Sequence, residues 1–355
     1  MAMATSSSPS TDELKKQLIS IVNSDKILLK RQDSAENLAI VEDTVNRLIT
    51  AMKQVDELFN DMYQRKVYTG SYWDGLRLGS ATEFDLNMVL RLPFKEDDVQ
   101  IIMPPAAPAF LQYHLKRSVM NILSLNNTKW PFQQKLVGFF DKENNLVRGE
   151  VQSWIQGVIT KALSSPHFQK PAAVKRIATS QSGPAFTLFI TIAGGVQIDV
   201  DLVPVIDGCY PTPKKIHKSP RFNQLKQVYK DFWFMVPKPY SSKSAKNPDT
   251  FWRISFPEAE KNLLPTDGCL KNLIKLFKLL RDAQNWDKLA SYFIKTLFLL
   301  ELDVTPKTNW PQDQIGIIFL KMLGKLKAAL ETKQLSYYFN RNANLFSASG
   351  RQGYI

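Results

Sequence analysis

The chain has 355 residues, 44% of them hydrophobic and 22% charged, with 21 Phe, 11 Tyr and 7 Trp, which is material for one or two folded lobes and excludes bulk disorder. A count of 46 Lys and Arg against 33 Asp and Glu gives a net charge of +13, which favours a polyanionic partner: nucleic acid, nucleotide or an anionic membrane surface. Two cysteines, Cys209 and Cys269, and three histidines exclude a disulfide framework and a zinc cluster of ordinary Cys/His spacing.

The start, MAMATSSSPSTDE, has no basic segment leading into an apolar one, and no stretch approaches the ~18 uncharged apolar residues of a membrane span. The expectation is a soluble cytoplasmic protein with no membrane partner. Residues 1–10 are Ser-rich and read as a disordered tail, and Thr11 to Glu13 offers a helix start ahead of LKKQLISIV. From about Ser34 to Arg65, apolar residues including Ile40, Val41, Val45, Leu48, Met52, Val55, Phe59 and Met62 recur at three- and four-residue steps, predicting one long helix able to brace two lobes. The pattern then changes to strand alternation in EFDLNMVL, where Phe84, Leu86, Met88 and Leu90 alternate with Glu83, Asp85, Asn87 and Val89. Residues 186–206 predict a hairpin turning at Gly194-Gly195. Beyond Gly268 the chain reads helical in three segments, CLKNLIKLFKLLRDA, WDKLASYFIKTLFLLEL and PQDQIGIIFLKMLGKLKAALE. The fold class expected is α+β: a core lobe over 11–205, with a twisted sheet and N-terminal spine helices, then a mainly helical lobe over 206–355.

Chemistry is concentrated at Gly70-Ser71 and Glu83-Phe84-Asp85. Residues two apart on a strand share a face, so Glu83 and Asp85 present their carboxylates to one small volume while Phe84 packs behind. Two such carboxylates repel unless a hard cation neutralises them, and Mg²⁺ or Mn²⁺ accepts carboxylate and phosphate oxygens together. Gly70-Ser71 at a tight turn offers backbone N–H groups and a hydroxyl to a triphosphate. The strand IDVDLV supplies Asp199 and Asp201 on one face, one of which the strand can spend on an ordinary hydrogen bond. Three acids on adjacent strands can hold two cations that clamp the attacking and leaving oxygens of an in-line displacement, and Asp201 can draw the proton from the attacking hydroxyl.

The stretch GSYWDGLRLGSATEFDLNMVL resembles the signature of the cyclic GMP-AMP synthase family, which includes the insect-type cyclic GMP-AMP synthase-like receptors and the Mab-21 proteins. VDLVPVI, FWRISFPEAEKNLL, CLKNLIK, LASYFIKTLF and YYFNRNANLFS follow in the family's order, so the resemblance covers residues 60–350. It implies a bilobal nucleotidyltransferase with catalytic metal ligands at Glu83, Asp85 and Asp201 and two bound Mg²⁺ or Mn²⁺ ions. It also implies nucleotide contacts at Gly70, Ser71, Arg253, Ser255, Glu260, Lys275, Ser291 and Tyr292, with ATP and GTP as substrates. Arg253 presents the fork that suits the O6/N7 edge of guanine, and Tyr292 a flat face for a base. Two departures narrow the match. Only LLPTDG separates Asn262 from Cys269, where the metazoan DNA sensor carries its zinc insertion, so no zinc is expected and the likeness is to receptors whose implied ligand is double-stranded RNA. Val203 and Pro257 stand where that sensor has hydroxyl residues, which leaves base choice and linkage open.

Between 214 and 246 lie Lys214, Lys215, Lys218, Arg221, Lys226, Lys230, Lys238, Lys243 and Lys246 against Asp231 alone. Such a stretch can follow phosphates without reading bases, the natural mode for duplex RNA, and Lys15, Lys16, Lys26, Lys30 and Arg31 can extend it. The candidate RNA contacts are Lys214, Lys215, Lys218, Arg221, Lys226, Lys30 and Arg31. Together these features predict a synthase of a cyclic dinucleotide, an innate immune second messenger, switched on by double-stranded RNA, with dimerisation or higher assembly on RNA left open. The alternatives are a linear 2′-5′ oligoadenylate synthase and a catalytically silent scaffold of the Mab-21 type.

Overall fold

The computed structural model describes residues 11–28, 31–105, 107–125, 132–208, 219–240, 247–305 and 310–348, with the side chains of 31–33, 182, 347 and 348 left aside. The expected tail at 1–10 therefore lies outside the described residues.

After a first helix, Thr11–Val22, the spine helix runs Arg31–Val55. Its stripe of Val41, Val45, Leu48 and Met52 is fully buried, packed on the helix Arg148–Leu163. The single helix predicted to Arg65 is broken at Asp56. Asp56 adopts extended backbone, and its side chain accepts the Phe59 N–H at 2.8 Å, capping a new short helix, Glu57–Met62. Leu58, Phe59 and Met62 stay buried, so the apolar spacing runs through the break and hides it. Tyr63–Thr69 then leaves as strand β1.

Eight more strands complete a mixed sheet: β2 (Glu83–Leu90), β3 (Val99–Ile102), β4 (Phe110–Leu115), β5 (Val174–Ser182), β6 (Ala185–Ile192), β7 (Gln197–Asp207), β8 (Phe234–Val236) and β9 (Trp252–Ser255). The order is β1-β2-β7-β8-β9-β4-β3, with β6 and then β5 branching from β7. The hairpin expected at Gly194-Gly195 is present as β6 and β7, and both glycines sit at positive φ, +83° and +82°. Along one edge β7 pairs with β2; along the other it pairs with β6 up to Leu202 and with β8 from Ile206. Pro204, which has no N–H to give, lies where one partner hands over to the next. The sheet thus continues past residue 205: β8 and β9 carry it to Ser255, held by partners distant in sequence rather than by a long alternating pattern of their own.

The remainder is helical: Pro257–Leu263, Leu270–Ala283, Ser291–Val304 and Ile315–Thr332, followed by the small ladder β10 (Ser336–Tyr337) and β11 (Asn340–Asn344). The first helix of the chain lies on the Ile315–Thr332 helix, close enough that a Cβ on Gly316 would come within 3.2 Å of the Thr11 carbonyl oxygen. Among the described residues no helix is long and apolar enough to cross a membrane.

Candidate active site

Strands β2 and β7 run parallel with Glu83 opposite Asp199 and Asp85 opposite Asp201. Paired residues on neighbouring strands point to one side, so all four acids share a face of the sheet. Strand β1 ends with Thr69 opposite Asp85, and the chain turns there into the single helical turn Gly70–Trp73. Gly70 has φ +75°, and a Cβ on it would fall 1.8 Å from Asp85 Oδ2. Only glycine lets the turn close over Asp85 in this way. Asp199 is held at the strand start by Gln197, whose Nε2 donates to Oδ1 at 2.7 Å, so Asp199 is spent locally.

As the side chains stand, no three His, Cys, Asp or Glu groups among the described residues are gathered tightly enough to hold an ion. Two neighbours explain this. The Arg77 guanidinium is bound to Glu83, and Thr187 Oγ1 donates to Asp201 Oδ1 at 2.5 Å. The crowding is nevertheless real. Burial, then the charges of Glu83 and Asp201, push the Asp85 carboxyl up to about 7, against the pull of Arg77. Three carboxylates on two adjacent strands, Asp85 among them buried and crowded by the others, form a donor set that suits divalent cations.

In front of Glu83 and Asp85 opens a cleft of about 440 Å³ whose walls include Gly70, Ser71, Glu83, Asp85, Arg253, Ser255, Glu260, Ser291 and Tyr292, while Asp201 does not line it. The structure therefore gathers most of the predicted nucleotide contacts from strand β9 and three helices. Val203 and Pro257, the two departures from the family pattern, also line it. The Arg253 guanidinium lies 5.1 Å from the ring centroids of both Tyr292 and Tyr337, and its Nη2 is buried with no hydrogen-bond partner. That unpaired donor is the kind of group a base edge can satisfy. Ser291 Oγ is engaged by Arg281 Nη1 at 2.6 Å. Lys275 does not line the cleft. It is half-buried, and burial followed by the charge of Lys271 lowers its pKa. Lys278, one helical turn on, lines the cleft instead.

Sequence reasoning missed the polar network under the cleft. Lys295 Nζ binds Asp74 Oδ2 at 2.6 Å and Glu260 Oε2 at 2.7 Å, and Tyr292 donates its OH to Glu260 Oε1 at 2.9 Å. Burial works against the charge of Lys295, but Glu260 and Asp74 outweigh it and hold the ammonium above its ordinary range. Lys278 Nζ donates to the Leu76 carbonyl at 2.8 Å; burial, then the charges of Arg281 and Arg77, bring it down to about 8. Both lysines tie the loop after Ser71 to the helical lobe. One signal was available: Lys271, Lys275 and Lys278 recur on one helical stripe, and Lys295 lies one turn after Ser291.

Of the candidate RNA contacts, Lys214, Lys215, Lys218 and Lys30 lie outside the described residues, as does the Arg31 side chain. Lys226 is exposed between two short helices. Arg221 is half-buried and turned inward, donating to the carbonyls of Leu302 and, at 2.8 Å, Thr305 at the end of the Ser291–Val304 helix.

Comparison with known proteins agrees with this layout. The model of the Mab-21 protein nucleotidyltransferase domain matches residues 72–266, and that of the Mab-21 protein HhH/H2TH-like domain matches 269–353. The chain is 30% identical over 331 residues to a cyclic GMP-AMP synthase-like receptor of Microplitis demolitor, a match covering 90% of this chain and 59% of that protein. It is 30% identical over 334 residues to the receptor of Aethina tumida (92% and 81% covered) and 30% over 351 residues to that of Ctenocephalides felis (94% and 79%).

Proposed function

The chain belongs to the Mab-21 family of nucleotidyltransferases, and from that premise we propose that it joins ATP and GTP into a cyclic dinucleotide of the cyclic GMP-AMP type when double-stranded RNA binds its basic surface. The observation that carries the reading is the parallel register of Asp85 with Asp201, one pleat from Glu83, directly beneath the Gly70 turn. Glu83, Asp85 and Asp201 would hold the divalent cations, which when bound activate an attacking hydroxyl and steady a departing pyrophosphate. Ser71 at the turn and Lys278 opposite present donors to a triphosphate across the cleft. Arg253 offers its fork to a guanine, and the Tyr292 ring to a second base. Asp201, through the oxygen that Thr187 does not bind, receives the proton of the attacking hydroxyl. A first displacement gives a linear dinucleotide; the intermediate then turns over in the cleft and closes. The similarity to cyclic GMP-AMP synthase-like receptors supports a cyclic product.

Labelled ATP and GTP incubated with the protein, Mg²⁺ or Mn²⁺ and a synthetic RNA duplex test this directly. The expected product has the mass of a cyclic dinucleotide, resists phosphatase and requires the duplex. A phosphatase-sensitive ladder would mean linear oligonucleotide synthesis. The engagement of Glu83 by Arg77 and of Asp201 by Thr187 favours, as second reading, a silent scaffold. No product from folded protein with any duplex or divalent ion would decide for it.

A further inference from the structure

We propose that Asn87 selects a base in the cleft: its side-chain amide hydrogen-bonds the edge of one nucleobase, and the pairing it offers is the one that adenine completes. The inference rests on the nucleotide reading of the cleft given above and names a base-selecting contact within it. Asn87 lies on β2 two residues beyond Asp85, so it shares the face of the acids and sits ~7 Å further along the strand. It lines the cleft together with Asp85 and Val203. A base held against Asn87 therefore has its ribose beside Asp85, where the attacking hydroxyl is activated.

The surroundings of this amide give it nothing to bind. In the ladder Asn87 stands between Val67 of β1 and Val203 of β7, neither of which has a polar side-chain atom. Past it, Val67, Val203 and Val236 pack on Val89, Val205 and Phe234, so the amide stands at the edge of an apolar patch. Asn87 is only 6% exposed, and among the described residues its side chain has no hydrogen-bond partner. Its nitrogen and oxygen are not sealed in the interior, so the little surface they keep opens on the cleft. Asparagine is a poor strand former, and a nearly buried amide without a partner costs free energy that a ligand recovers on binding. An amide presents an acceptor beside a donor, which matches the N6 amino group and N7 of adenine in a bidentate contact. Val203 brings no polar atom to this level of the sheet, so the hydrogen bonding there falls to Asn87. Arg253, on β9, keeps its fork for guanine elsewhere in the cleft.

The test is calorimetric binding of the non-hydrolysable α,β-methylene triphosphates of adenosine and guanosine with Mg²⁺, so that turnover plays no part. Asn87→Leu and Asn87→Ala are expected to bind the adenosine compound about tenfold more weakly, the scale of one bidentate base contact, and the guanosine compound within about twofold of the unaltered chain. The 7-deazaadenosine counterpart, which lacks the N7 acceptor, should bind the unaltered chain several-fold more weakly than the adenosine compound and lose less than it does in Asn87→Leu. Circular dichroism confirms folding, and the Ala variant serves if the Leu variant does not fold. Because the amide has no partner in the unliganded fold, Asn87→Leu should unfold in urea no earlier than the unaltered chain. Equal loss of the adenosine and guanosine compounds, or no loss of either, overturns base selection by Asn87 while leaving the nucleotide site standing. Failure of the unaltered chain to bind either compound overturns the nucleotide reading and this contact with it.

Discussion

Replacing Lys295 with Met removes the cation that bridges Asp74 and Glu260 while keeping the side chain's length. All three side chains are about one-tenth exposed or less, and both ion pairs are close, at 2.6 and 2.7 Å. Removing one partner of a buried pair costs about 3–5 kcal/mol, because the survivor keeps its charge without compensation, and here two carboxylates are stranded. The sign of the pH dependence follows from Lys295, which its two carboxylate partners hold above its ordinary value: its contribution is complete below that value and fades only in strongly alkaline solution. Urea unfolding at pH 8 reads the loss. Lys295→Met with Asp74→Asn and Glu260→Gln should recover a large part of it. A cost below about 1 kcal/mol for Lys295→Met, or no recovery in the triple variant, would refute the view that this network is a charge-compensated clasp between the loop and the helical lobe.

Asp85→Asn in metal-free buffer should be more stable than the unaltered chain at pH 8 by about 1–3 kcal/mol and no more stable near pH 4, because a folded pKa of about 7 against the ordinary 3.8 imposes a penalty that appears as pH rises between them. Melting in EDTA that ranks the two the other way at pH 8 contradicts this. Gly70→Ala should cost at least about 1–2 kcal/mol from its left-handed backbone, with a further loss from displacing Asp85; an unchanged urea midpoint would show that the turn does not close over that carboxyl. Arg221→Ala should lower the urea stability by about 1–2 kcal/mol by freeing the carbonyls of Leu302 and Thr305, whereas unchanged stability with weakened RNA binding would put Arg221 on the RNA face. Charge reversal of Lys214, Lys215 and Lys218 should abolish RNA stimulation and flatten the salt dependence of duplex binding by roughly 0.7–0.9 per lost phosphate contact; equal stimulation would remove them from the interface.

What sequence made legible was local. The shared face of Glu83 and Asp85, and that of Asp199 and Asp201, was legible in period-two alternation, and the turn at Gly70-Ser71 in its residue chemistry, because both signals sit within a few residues, while only the family resemblance preferred Asp201 to Asp199. The parallel partnership of β2 and β7 was not readable, since it is set by a chain crossing of more than a hundred residues. The break at Asp56 escaped because a helix that restarts in phase preserves the apolar spacing, leaving only the capping side chain to mark it. The clasp of Asp74, Glu260 and Lys295 was hidden for the same reason as the register: Lys295 and Asp74 are 221 residues apart, and a buried lysine looks on paper like a surface one. Arg221 illustrates the converse. It sits in a basic run, yet a guanidinium can serve a helix end as readily as a phosphate.

The first helix and the spine helix precede residue 72, where the family match begins, yet they supply a whole side of the interior. Trimming the gene to the matched boundaries would strip the cover from the 315–332 helix and leave the sheet without the wall made by Val41, Val45, Leu48 and Met52. Such a fragment would be sticky and short-lived, and its inactivity would say nothing about chemistry. Any recombinant version meant to report on catalysis has to keep the stretch from Thr11 onward.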